Sequence, residues 1–72
     1  MTPGKRIRSR RRFRRMTQQE LGEKVGLSSG NIKAIEHGQT DPRFHVMVKI
    51  CDELKLDIMD MVRDVRKGAT EI

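Results

Sequence analysis

From Thr17 to Gly38 the chain places helix-opening and helix-closing residues so close together that no element between them exceeds about nine residues. Thr17-Gln18-Gln19-Glu20 is a capping box: the Thr hydroxyl and the Glu carboxylate each accept from the other residue's free backbone N–H. It opens a helix that buries Leu21 and Val25, spaced i, i+4. Gly26 then ends that helix in a left-handed conformation that glycine adopts at little steric cost. Ser28 caps a second short helix, which buries Ile32 and Ile35 and stops at Gly38. Gly22 costs its helix about 1 kcal/mol relative to Ala, so a close crossing of the second helix over the first is expected there. Burying Ile32 and Ile35 leaves Ser29, Gly30, Lys33, Ala34 and His37 as the exposed stripe of the second helix.

The rest of the chain reads the same way. Thr2-Pro3 suits a cap followed by Pro at the first helical position, with a helix running to about Arg14. Asp41-Pro42 repeats that start and predicts a fourth helix with Phe44, Met47, Cys51 and Leu54 on one stripe, Val48 and Ile50 beside it. A fifth is expected from about Asp57, using Ile58, Met61, Val62 and Val65. Strand signals are nearly absent: Phe13 and Phe44 are the only aromatic residues, and no period-two run is bounded by turn residues. The 72 residues hold one small domain, near the lower limit at which a single apolar core suffices. The expected fold is all-α, a compact five-helix domain over residues 1–66 with its motif at 18–37 and a frayed C-terminal tail at 67–72.

Charge is unevenly placed. Residues 1–15 carry eight Lys or Arg and no acid, residues 16–49 are balanced, and residues 50–72 are net negative by two. A molecule polarised in this way is drawn to polyanions and orients as it approaches them. Nucleic acid is the usual partner of such a basic segment. An anionic membrane is the rival, but Ile7 and Phe13 are too few apolar anchors for stable insertion. The lone Cys51 cannot form an internal disulfide, no apolar run nears the roughly 20 residues of a membrane span, and no apolar stretch follows the basic N-terminus. A cytoplasmic protein is expected. His37, His45 and Cys51 fit no ligand spacing, so no metal and no cofactor are expected. No nucleophile–base pairing or paired carboxylates occur in a plausible setting, and the reading is not an enzyme.

Several separated elements together resemble the lambda-repressor/Cro-like (Xre) helix-turn-helix family over roughly residues 4–62. They are Ile7-Arg8 and Arg11, Met16-Thr17-Gln18, Glu20-Leu21, Gly26-Leu27-Ser28, Ile32, Ile35-Glu36-His37-Gly38, Pro42, and Leu54 through Val62. The resemblance implies a five-helical domain that reads operator DNA with its third helix and acts as a transcriptional regulator, usually a repressor. On that basis Ser29, Gly30, Lys33 and Ala34 are expected to face bases. Gln18 matches a phosphate-contacting glutamine, and Arg43 a position near the DNA backbone. Ser28, Asn31, Arg8 and Arg12 are further expected phosphate contacts. Arg11 and Glu36 match a partly buried ion pair joining the first helix to the third. Gly22 replaces a commoner Ala, a small-for-small exchange, and Lys55 stands where the family often has Gly. Gly30 and Ala34 bring little hydrogen-bonding capacity to two reading positions.

The expected partner is double-stranded DNA, with a homodimer formed through the fifth helix (Ile58, Met59, Met61, Val62 and Val65). The alternative is an antitoxin or interaction module of the same fold, whose main partner is another protein.

Overall fold

The computed structural model describes residues 2–63, which form five helices and no strand. The first four are α1 (Pro3–Phe13), α2 (Gln18–Val25), α3 (Ser29–Glu36) and α4 (Phe44–Leu54). The fifth, α5, starts at residue 58 and is helical through residue 63. The expected tail at 67–72 lies outside the described residues.

The caps sit where the sequence places them. Thr2 accepts from the Lys5 N–H at 3.3 Å with Pro3 at the first helical position. In the capping box the Glu20 N–H meets Thr17 Oγ1 at 3.0 Å and the Thr17 N–H meets Glu20 Oε1 at 3.1 Å. The Thr17 amide, and after it the Thr17 hydroxyl, hold the Glu20 carboxyl below its ordinary pKa. Gly26 closes α2 at φ 80°, and Gly38 follows α3 at φ 73°.

α4 corrects the sequence reading in two ways. It starts at Phe44, and Arg43 occupies its cap position with no side-chain hydrogen bond, so Asp41-Pro42 does not open the helix. Pro42 disfavours a helical Asp41, and the Pro42 ring instead lines a groove with Leu27, Ile35 and Val46. Phe44, the first residue of α4, is 73% exposed, and Val46 and Met47 are the first residues of the helix to pack against the core. The inward stripe is Met47, Ile50, Cys51 and Leu54, with Ile50 fully buried.

α3 packs against α2 and α1, and α4 closes the core beneath α1 and α2. Ile7, Leu21, Val25, Ile32, Ile35, Ile50, Cys51, Leu54 and Met61 form that core. Burial pushes the Cys51 thiol up, and Asp52 and Asp57 add to the shift, so Cys51 stays a protonated, small apolar filler. Met61 is 2% exposed inside its own subunit, which removes it from the set proposed to face a second copy. Ile58 packs partly against the core, Met59 and Val62 remain exposed, and Val65 lies outside the described residues.

Two glycines set how closely the helices approach. A Cβ at Gly22 would run into the Leu27 carbonyl oxygen and lie 3.3 Å from the Ser28 carbonyl carbon. The obstacle is therefore the backbone of the turn rather than a side chain of α3, and even Ala is not an equivalent exchange. Gly4 went unnoticed in the sequence: a Cβ there would sit 2.5 Å from the Ile35 carbonyl and 2.6 Å from that of Glu36. The available signal was a glycine inside a helix directly after its Pro start.

Lys55 ends α4 in the left-handed region at φ 56°, where a side chain is strained. Lys55→Gly is expected to raise stability by about 0.5–1 kcal/mol, read as a higher urea midpoint at unchanged slope.

Candidate nucleic-acid interface

Ser28 accepts from the Asn31 N–H at 3.2 Å, which fixes the start of α3 and leaves its first turn at the surface. With Ile32, Ile35 and Glu36 buried, Ser29, Gly30, Asn31, Lys33 and His37 are exposed and Ala34 is half-buried. The stripe expected from the sequence thus faces solvent as one surface. Its N-terminal end carries the positive end of the helix dipole.

The inner side of α3 is anchored by a buried ion pair. Arg11 Nε donates to Glu36 Oε2 at 2.6 Å and Arg11 Nη2 to Glu36 Oε1 at 3.0 Å, a two-pronged arrangement. Arg11 Nη1 also donates to the Met16 carbonyl at 2.9 Å, binding the turn after α1. The side chains are 9% and 1% exposed, so the pair is more deeply buried than expected. It gains a third member that the sequence did not reveal. Gln18 Nε2 donates to Glu36 Oε1 at 3.2 Å, so the glutamine at the start of α2 is tied to the end of α3. One amide hydrogen is engaged there and the other remains available.

The arginine run of α1 divides into two flanks. Gly4, Ile7 and Arg11 face inward. Lys5, Arg8 and Arg12 share one side by their i, i+3, i+7 spacing. Of these, Lys5 and Arg8 line a groove of about 640 Å³ with His37, Gly38 and Thr40, so this flank adjoins the C-terminal end of α3. Arg6 and Arg10 lie on the other flank, in a shallow groove with Phe13 and Leu56, where the Arg10 guanidinium sits 5.7 Å from the Phe13 ring centre. Asn31 and Arg43 line a third shallow groove, which brings the first turn of α3 beside the start of α4.

His37 and His45 are exposed while Cys51 is buried, and no cluster of three or more His, Cys, Asp or Glu able to hold a metal occurs among the described residues. Among the same residues no helix is long and apolar enough to cross a membrane.

The comparisons with known proteins agree with this geometry. The family model for a helix-turn-helix domain matches residues 4–65. A search of curated proteins finds no match. Among solved structures, the chain is similar to the P22 c2 repressor protein, crystallised in complex with synthetic operator 9T. The TM-score is 0.76 at 30% identity, over 79% of this chain and 86% of that one. The elbow at Gly26, the Ser28-capped third helix and the five-helix core are therefore the parts of a lambda-repressor-like fold, and the chain belongs to the helix-turn-helix domain family.

Proposed function

We propose that this protein is a small, non-enzymatic transcriptional regulator, a repressor, that binds double-stranded DNA with α3 in the major groove. The observation that carries the reading is the exposed stripe of α3, framed by groups suited to phosphates. Ser29, Gly30, Lys33 and Ala34 face the bases, and Lys33 donates to the guanine O6/N7 edge. Ser28, Asn31 and Arg43 meet phosphates around the start of α3, while Gln18, tied to Glu36, and Arg8 and Arg12 on the flank of α1 meet them toward its C-terminal end. Similarity to a repressor crystallised with operator DNA supports the same assignment. The fifth helix leaves Met59 and Val62 for a second copy of the chain, giving a homodimer on a two-fold site.

The test is selection of bound sites from random duplex DNA, followed by salt titration. A palindromic consensus is expected, with log affinity falling against log salt at a slope of about −4 to −5 per subunit as roughly five counterions are released. Lys33→Ala should weaken binding and relax the base preference at the pair it reads, with the salt slope little changed and stability within about 0.5 kcal/mol. A flat salt titration would remove the DNA reading. The polar poverty of Gly30 and Ala34 favours one alternative, an antitoxin or interaction module. No enrichment of any duplex, with purification only alongside a protein partner, would favour that reading.

A further inference from the structure

Of the five described glycines, four have an internal reason to lack a side chain. Gly4 and Gly22 sit against backbone carbonyls, while Gly26 and Gly38 take positive φ. Gly30 has neither reason. A Cβ built on it would meet only Ser28 Oγ, at an ordinary 3.9 Å, and its φ is not in the left-handed region. It is exposed, one residue into α3, where glycine destabilises a helix relative to Ala. Nothing within the folded chain accounts for it.

We infer that Gly30 is the point where the duplex comes closest to α3, and that its missing side chain fixes how deeply the helix seats on the base edges. The inference rests on the proposed DNA reading. It turns the apparent weakness of the reading face into a device. A residue without a side chain supplies no hydrogen bond of its own, but it lets the neighbouring Ser29 and Lys33, both exposed beside it, reach further into the groove. A side chain at residue 30 would hold the helix off, shortening the reach of both neighbours together.

Stability and binding should then move in opposite directions. Gly30→Ala is expected to raise the melting temperature by a few degrees, since the helix gains and no contact is lost. Affinity for duplexes selected by the parent should fall about tenfold, the scale of packing one methyl group into a filled contact. Gly30→Val should lose more, and the sites each variant selects should change at the base pairs beneath residue 30. Gly30→Ala binding as tightly as the parent would overturn the inference. So would a loss uniform across all duplex sequences, which places a phosphate rather than a base edge at that point. If the parent itself selects no duplex, the DNA reading fails and this inference with it; a parent that binds beside an unaffected variant removes the inference alone.

Discussion

Gly22→Leu is expected to unfold the domain. The Cβ direction at Gly22 ends on the Leu27 carbonyl, and that same turn is fixed by the Leu27 N–H donating to the Gly22 carbonyl at 2.8 Å. A backbone carbonyl cannot rotate away as a side-chain tip can, so the turn must move as a unit and α3 leaves its seat on α2. Overpacking a filled contact costs roughly 1–3 kcal/mol even where neighbours can adjust. A domain of this size holds on the order of 4–10 kcal/mol in all. Gly22→Ala should also lower the melting temperature, despite the roughly 1 kcal/mol it returns in helix propensity. Thermal melts followed by circular dichroism decide the matter. A Gly22→Leu variant as stable as the parent would mean that α2 and the turn do not meet as described.

Arg11→Ala is the second large effect, expected at roughly 3–5 kcal/mol, or about 15–30 °C in melting temperature for a domain this small. The substitution strips the Glu36 carboxylate, 1% exposed in the parent, of its charged partner, with Gln18 as its remaining side-chain donor, and frees the Met16 carbonyl. Most of the loss comes from stranding a buried charge rather than from the attraction itself. The Arg11→Ala/Glu36→Ala double variant should therefore recover part of it, and a double-mutant cycle by urea denaturation measures how much. Additive losses would indicate that the two side chains do not act on each other. Lys33→Ala, at the exposed side of the same helix, separates this structural role from binding.

Legibility in the sequence followed the range of the interaction. Caps and stops are local chemistry: Thr2, Thr17 and Ser28 each bond an N–H three residues on, so the starts of α1, α2 and α3 could be read directly. The exposed stripe of α3 was legible because periodicity alone opposes Ser29 and Lys33 to Ile32 and Ile35. Asp41-Pro42 looks like another start, yet α4 begins only at Phe44 with an extended Arg43 before it, and Pro42 lines a groove with Leu27 and Ile35 of earlier segments. Phe44 and Met61 misled for a related reason. Helical spacing gives direction around an axis, but not how far along that axis the core extends or which neighbour covers a face.

By itself, the sequence determined that the chain is a set of short capped helices with a glycine elbow, a basic first segment and a polar stripe on the third helix. Each of these depends on residues within about one helical turn of one another. Only the tertiary structure decided that Gln18 hangs from Glu36, that Gly4 lets α1 touch the end of α3, and that the arginines divide into two flanks. Those facts join residues 18 or more positions apart, and the angle at which one helix lies on another is set by the whole core at once.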